Sequence, residues 1–260
     1  MSSVLRHLAG FGLAALMALA PPARAIEDRA DVDPSLAPSP GKALAWKATY
    51  GLYRSSTEGQ ARDVNLRGNT QDLTFWLGSY KDAQNFEQHR IGLEYAIALP
   101  MGKLTPSIQS ATGGFFGWSL TWNGQSEHDE GVAPLLGLGR TNQKNYYNLN
   151  FDPNDSVMLG ASYNSKAAGL LMFYRVQDDR LHTGQTTHHL VWRKSLPPDR
   201  RVTVDLFKRR GAEQAGSPLY QGTGASITLD IGDYFVRLGR DPKANYNAVD
   251  ITRLAVGLKF

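Results

Sequence analysis

The sequence predicts an all-β fold, an antiparallel up-and-down barrel of about twelve strands, and three observations predict it. Apolar and polar residues alternate with a period of two in successive segments from residue 43 onward. Turn-forming residues separate these segments, and the 260 residues include 26 glycines and 11 tyrosines. No segment beyond residue 42 shows a helical period. Two predicted periplasmic turns, residues 81–88 and 124–131, are long, and one predicted outer loop, residues 100–103, is short, so a count of ten strands is also possible.

The composition excludes several other classes of protein. The chain has no cysteine, which excludes a disulfide-stapled fold and a thiolate metal site. Aromatic residues make up 10% of the chain, which argues against intrinsic disorder. Beyond the N-terminal segment no apolar run reaches the roughly 18 residues of a membrane-spanning helix. The 28 basic and 24 acidic residues are nearly balanced, so no nucleic-acid partner is expected.

The N-terminal segment has the features of a targeting signal. Residues 1–25 are predicted to be a secretory signal peptide, because residues 8–20 form an apolar stretch too short to span a bilayer. Residues 21–22 are both proline and would interrupt a helix, and residues 23–25 give a small-x-small cleavage pattern. Residues 26–42 are acidic and proline-rich, and we expect a flexible periplasmic leader. The barrel is therefore expected over residues 43–260.

The alternating segments justify the predicted strands in chain order. The twelve predicted strands cover residues 43–54, 71–80, 89–99, 104–123, 132–146, 156–164, 168–177, 185–195, 201–210, 219–230, 233–240 and 249–260. The last segment has the clearest pattern, since Leu254, Val256 and Leu258 share one face. Arg253 and Lys259 share the other face, so one side of this strand is apolar and the other is ionic.

The charged faces decide which side of the barrel points inward. A membrane barrel turns its apolar face to lipid and keeps a polar interior. We therefore expect a transmembrane barrel whose lumen contains the charged residues of the polar faces. These are Lys47, Arg90, Glu94, Arg175, Arg193, Asp205, Arg237, Arg253 and Lys259. Inward aromatic residues would narrow or fill the lumen, so a narrow channel and a plugged barrel both stay open. They are Tyr53, Trp76, Phe115, Phe173 and Phe235.

Outward-facing aromatic residues are expected to form a girdle at one membrane interface. Counting strands from a periplasmic N-terminus places six of these residues at the periplasmic ends of their strands. They are Trp46, Trp122, Tyr163, Trp192, Tyr234 and Phe260. Amphipathic rings favour the membrane interface, so the girdle supports lipid on the outside.

The C-terminal strand carries a resemblance to a known class. The chain ends in Phe260, with Leu258, Val256 and Leu254 on the same face. This end resembles the terminal strand of Gram-negative outer-membrane β-barrel proteins as a general class, without a match to a specific family. The resemblance implies a location in the outer membrane, contact with its lipids, and recognition of the last strand by the barrel-assembly machinery.

Three functions are compatible with such a barrel. The leading interpretation is a non-catalytic narrow channel or export conduit whose basic lumen favours anions. An alternative is an outer-leaflet lipid or ester hydrolase with Asp179, His182 and Ser156 at the rim. A third interpretation is a surface adhesion or receptor barrel that acts through its loops. Whether the protein is an enzyme stays open, with the channel favoured.

The outer loops and the histidines provide few candidates for a cofactor site. Residues 148–155 are rich in Asn and Asp, and such oxygen ligands leave calcium binding open. His188 and His189 are adjacent in a predicted strand, so their side chains point to opposite faces and cannot chelate one metal ion. No other cofactor is predicted.

Overall fold

The computed structural model describes residues 44–124, 130–147, 155–178 and 181–260. These residues form one antiparallel sheet that closes on itself. The strands are β1 (Ala45–Ser55), β2 (Gln60–Asn69), β3 (Leu73–Asp82), β4 (Glu87–Tyr95), β5 (Ile97–Leu99), β6 (Gly102–Ala111), β7 (Phe115–Gly124), β8 (Gly131–Thr141), β9 (Ser156–Ser165), β10 (Gly169–Asp178), β11 (Thr186–Leu196), β12 (Arg200–Gly211), β13 (Tyr220–Ile231), β14 (Tyr234–Asp241) and β15 (Ile251–Lys259). A short 3-10 helix, Ala244–Tyr246, lies between β14 and β15.

Fourteen of these strands form the closed ring. Sequential strands pair with one another, and β1 pairs with β15, where Leu52 lies opposite Leu254. The pairing of β4 with β6 closes the ring; in this pair Leu93 lies opposite Ile108. The three-residue β5 lies outside the ring and pairs with the first residues of β6. No helix in the described part of the chain is long and apolar enough to cross a membrane.

The all-β closed barrel was predicted correctly, but the predicted counts of twelve and ten strands are wrong. Gln60–Asn69, which was expected to be part of an outer loop, is β2. Its apolar face is short, because Val64 and Leu66 lie between charged and amide residues. Residues 104–123 were predicted as one strand and form the β6–β7 hairpin. Gly113 and Gly114 make that turn with φ of 84° and 80°, a conformation that favours glycine.

The two ends of the barrel differ in the length of their connections. The described chain begins and ends at one end, which we call the turn end. Connections at the turn end are as short as residues 70–72 and 232–233. At the opposite end, the loop end, the connections include residues 212–219 and 242–250. Short turns on one side and longer loops on the other are typical of outer-membrane barrels, whose long loops face outward.

The outer face of the barrel is apolar along its middle. Large apolar side chains on this face are widely exposed, with Ile91 and Phe173 each 56% exposed. The six girdle residues named above occupy strand positions near the turn end. Trp46 packs edge-on against Phe75 with 5.3 Å between ring centroids, and the Nε1 of Trp192 donates to the Ala168 carbonyl oxygen at 2.9 Å. Such an outer surface is solvated by hydrocarbon with an aromatic interface.

Candidate functional site in the barrel lumen

The structure places most of the predicted luminal charges on the inner wall. Eight of the nine residues face inward and are buried or half-buried: Lys47, Arg90, Glu94, Arg193, Asp205, Arg237, Arg253 and Lys259. The inward position predicted for Arg175 is wrong. On β10 the buried residues are Met172 and Tyr174, so Phe173 and Arg175 lie exposed on the outer face. Both faces of β10 are largely apolar, and the alternation therefore carries no information about direction there.

Further inward charges were not selected from the sequence. They are Asp63, Arg67, Arg201, Arg209, Asp230 and Asp241. Asp63 and Arg67 belong to the strand that was missed. Arg201 and Arg209 could have been found, because they have the same parity as the inward Asp205 on β12.

Asp230 is shared by two cations near the turn end. Its Oδ2 accepts a hydrogen bond from Arg201 Nη2 at 3.0 Å, and its Oδ1 accepts one from Lys259 Nζ at 2.8 Å. Lys47 lies opposite Lys259 in the β1–β15 register, with its Nζ 4.4 Å from the centroid of the Phe235 ring. This part of the wall has more cations than carboxylates and keeps a net positive charge.

Asp241 is likewise contacted by two cations, at a position nearer the loop end. Arg209 Nη2 lies 3.1 Å from its Oδ1, and Arg253 donates to its Oδ2. The Arg209 guanidinium also lies over the rings of Phe207 and Tyr246, at 5.2 Å and 5.4 Å. A carboxylate between two guanidinium groups leaves one positive charge in excess, and the desolvated cations stay paired. On the wall from β12 through β15, both Asp230 and Asp241 are thus shared by two cations.

Two further ion pairs of the described wall lie on β2 and β4. Arg90 Nη2 lies 2.6 Å from Asp63 Oδ1, and Arg67 Nη2 lies 3.1 Å from Glu94 Oε2. Each of these pairs on β2 and β4 has almost no net charge. The pairs therefore stabilise the wall without adding to its charge.

His189 belongs to a separate buried pair. Its Nδ1 lies 3.1 Å from Asp205 Oδ1, and its ring stacks on Tyr174 at 4.7 Å between centroids. The neighbouring His188 is exposed on the outer face, as the alternation of the strand requires.

Part of the inner wall is covered by apolar side chains. Leu135, Met158, Met172, Tyr174 and Val191 pack into one cluster on β8 to β11, and Val191 has no exposed surface. In the fourteen-strand ring, β8 lies opposite β15 and β9 lies opposite β1. The members of the cluster on β10 and β11 lie opposite β2 and β3.

The loop between β8 and β9 folds into the mouth of the barrel. Gln88, which is 1% exposed, donates through Nε2 to the Asn145 carbonyl oxygen at 2.9 Å and accepts from the Tyr147 amide at 2.8 Å. Arg90 Nη1 donates to the Tyr147 carbonyl oxygen. The Tyr146 hydroxyl donates to Gln109 Oε1 at 2.8 Å, and its ring lies 4.3 Å from that of Phe115. Residues 142–147 thus narrow the loop end.

A second inward segment faces this loop. Tyr246, in the 3-10 helix, is buried, and its hydroxyl lies 2.6 Å from Thr187 Oγ1. Between the two segments is a cavity of about 600 Å³. Its lining is polar and aromatic: Gln143, Lys144, Asn145, Tyr146, Tyr147, Leu181, Thr183, Gln185, Glu213, Gln214, Ala215, Asn245 and Tyr246. The cavity has the size and polarity of a vestibule for a small polar solute.

Two loop residues have shifted acid–base properties. Burial, followed by the nearby carboxylates Glu58 and Asp82, raises the pKa of the Tyr147 hydroxyl, so this side chain stays neutral in the vestibule. Hydrogen bonds from the Lys243 amide and ammonium groups hold the pKa of Asp250 below its usual range. The Asp250 side chain is therefore a charged carboxylate, and its bonds to Lys243 stabilise the loop between β14 and β15.

The residues of the alternative hydrolytic site are not joined by the described contacts. Asp179 lies outside the described residues. His182 is exposed in the β10–β11 loop, and Ser156 is buried at the start of β9, with no hydrogen bond between them among the described contacts. Of the oxygen-rich loop, residues 148–154 also lie outside, and Asp155 Oδ1 accepts from the Thr141 amide at 3.0 Å. The described residues contain no metal-binding group of three or more His, Asp or Glu side chains.

The fold and the lumen define the class of protein. A closed barrel with a lipid-facing apolar belt, short turns at one end, loops at the other and a charged interior is an outer-membrane β-barrel with a porin-like fold. The protein is located in the outer membrane of a Gram-negative bacterium, as the C-terminal strand indicated.

Comparison with solved structures gives the same fold. The chain is similar to the outer membrane protein Omp33 of Acinetobacter baumannii, with a TM-score of 0.54 and 10% identity over 84% of this chain and 100% of that one. It is also similar to Salmonella typhi OmpF in a complex with daunomycin (TM-score 0.48, 11% identity, 84% and 97% covered). The NanC porin matches with a TM-score of 0.45 and 7% identity, over 83% and 100% of the chains. No family model and no curated protein sequence matches this chain.

Proposed function

We propose that the protein is a narrow, anion-selective diffusion channel of the outer membrane. The observation that carries the proposal is the sharing of carboxylates on one wall of the lumen. Asp230 is contacted by Arg201 and Lys259, and Asp241 by Arg209 and Arg253. Each group keeps one excess positive charge, and Lys47 adds to the same wall. A wall of one sign in a confined space raises the local concentration of counter-ions, which here are anions.

The shape of the lumen supports a narrow path. Leu135 and Met158 of the apolar cluster lie on the strands opposite β15 and β1, and residues 142–147 occupy part of the mouth. Permeating solutes would then pass between the loop and the basic strands. Small hydrated anions fit this path better than bulky solutes or cations.

The proposal is tested by planar-bilayer recording with the purified full-length protein. Under a potassium chloride gradient, the reversal potential should show preference for chloride. In the double variant Lys47→Gln and Arg237→Gln, the chloride-to-potassium permeability ratio should fall at least twofold, because two inward cations are removed.

The matched control removes the same charge from the outer face. Arg54 lies on β1 with its side chain on the face opposite to Lys47, and Arg62 lies outward on β2. The double variant Arg54→Gln and Arg62→Gln should keep the wild-type permeability ratio. Absence of conductance in a folded barrel, or cation preference, would contradict the proposal.

A further inference from the structure

The outer face of β10, β11 and β12 carries a row of basic side chains near the loop end. Arg175 lies opposite His188 in the β10–β11 register, and His188 lies opposite Lys208 in the β11–β12 register. All three are exposed, and Arg210 is exposed two residues further along β12. Adjacent strands are about 4.8 Å apart, so the row spans about 10 Å.

This row adjoins a continuous apolar surface on the same three strands. One step toward the turn end, Phe173 pairs with Leu190, and Leu190 pairs with Leu206. These side chains are 56%, 41% and 49% exposed. The next row, Leu171, Trp192 and Val204, continues the surface toward the turn end. The face therefore changes from apolar to cationic within one strand repeat of about 7 Å.

Within the described strands, the cations of this row have no acidic neighbour on the same face. The row is flanked by Leu159 on β9 and Thr223 on β13. Among the described residues, Arg175, Lys208 and Arg210 make no ion pair with a carboxylate. Lys208 and Arg210 lie two residues apart on β12, and Arg175 lies on the same face two strands away, so an anion from outside the chain would offset the repulsion among these three charges.

Two other outward cations at the loop end are paired with carboxylates of the same chain. Lys81 Nζ lies 3.5 Å from Glu87 Oε2, and Arg240 Nη2 lies 2.8 Å from Asp250 Oδ2. Their charges are compensated within the chain. On β1 to β3, the outward Arg62 lies opposite Lys81, and Lys81 lies opposite Glu87, so that row of cations includes a carboxylate. The described part of the row on β10 to β12 includes none.

We propose that this surface binds a phosphate-bearing lipid of the outer leaflet. Its phosphate groups would contact Arg175, Lys208 and Arg210, and guanidinium groups bind phosphate well through paired N–H donors. Its acyl chains would lie along the Phe173 and Leu171 rows. The loop end faces outward, so the cationic row is at the level of outer-leaflet headgroups. The site is on the lipid side of the wall and does not depend on conduction through the lumen.

The test compares lipid retention by two charge-matched variants. The full-length barrel is purified in detergent, incubated with bisphosphorylated lipid A in phosphatidylcholine, re-purified and analysed by native mass spectrometry. Wild-type barrel should retain bound lipid A, and the variant Arg175→Gln, Lys208→Gln and Arg210→Gln should retain at least fivefold less. The variant Arg54→Gln, Arg62→Gln and Lys81→Gln, with the same charge change on β1 to β3, should behave as wild type.

Two further measurements test which part of the lipid the surface binds. Dephosphorylated lipid A should be retained equally poorly by all three proteins. Inorganic phosphate in large excess should not displace bound lipid A, because it lacks the acyl chains that contact the apolar rows. Equal retention of lipid A by the two triple variants, or displacement by free phosphate, would overturn the proposal. Heat-modifiable migration of each variant on unboiled gels establishes that the compared barrels are folded.

Discussion

Single glycines determine how the luminal aromatic rings lie on the wall. A Cβ on Gly257 would lie 2.1 Å from the Phe235 ring and 2.5 Å from the Ala48 carbonyl oxygen. We expect Gly257→Ala to destabilise the barrel by about 1–3 kcal/mol, because neither the ring nor the backbone can move freely. The measurement is the temperature at which the folded form disappears from unboiled gels.

Gly239 provides the matched control on the neighbouring strand. Its added Cβ would meet nothing closer than the Ser226 Cβ at 3.4 Å, an ordinary van der Waals contact. Gly239→Ala should therefore leave the transition unchanged or raise it slightly, since alanine restricts the unfolded chain. A fall of equal size in both variants would show that the fit under Phe235 is not the cause.

At the residue scale, alternation predicts direction only where the two faces differ. On β15, Arg253 and Lys259 alternate with Leu254 and Leu258, and the predicted inward charges are inward in the structure. On β10 the inner face contributes Met172 and Tyr174 to an apolar cluster, so Arg175 was placed on the wrong side. The apolar filling of the lumen, which no single strand shows, caused this error.

At the element scale, one buried amide makes several of the hydrogen bonds that hold the inward loop. Gln88 binds the Asn145 and Tyr147 backbones and also donates to the Thr112 carbonyl oxygen at 3.1 Å. We expect Gln88→Leu to release residues 142–147, because each of these backbone groups loses its partner at a cost of about 1 kcal/mol or more. Single-channel conductance and its fluctuations should both increase.

The control for the loop variant is an amide at the loop end that does not contact residues 142–147. Gln84 is exposed between β3 and β4, and its backbone amide donates to Asp82. Gln84→Leu should leave conductance unchanged. If Gln88→Leu also conducts as wild type does, residues 142–147 do not narrow the path.

No sequence pattern predicts the inward fold of this loop. Its anchors on β4 are Gln88 and Arg90, more than fifty positions earlier in the chain. Arg90 was predicted to be luminal, but its contact with a loop backbone depends on the closure between β4 and β6. The polar composition of residues 142–147 is typical of any exposed loop, and only tertiary structure distinguishes the two outcomes.

At the scale of the whole molecule, two errors in the strand count left the count even, and their effects on strand direction cancelled after β7. Adding β2 and dividing residues 104–123 into β6 and β7 raises the count from twelve to fourteen and preserves its parity. Strand directions after β7 are therefore those predicted, which is why Tyr163, Trp192 and Tyr234 are at the turn end as expected. Directions from β3 through β6 are reversed from the prediction.

The proposed anion selectivity of the lumen also makes a prediction for the whole molecule. If selectivity arises from the field of the wall, it must weaken as salt screens that field, since the Debye length falls from about 10 Å at 0.1 M to about 3 Å at 1 M. The chloride-to-potassium permeability ratio, measured from reversal potentials at a fixed tenfold gradient, should decrease steadily as the mean concentration rises over this range. In the variant Lys47→Gln and Arg237→Gln the ratio should start lower and change less. A ratio that is independent of salt in the wild-type protein would instead indicate a tight anion-binding site, for which the vestibule between residues 142–147 and Tyr246 would be the place to search.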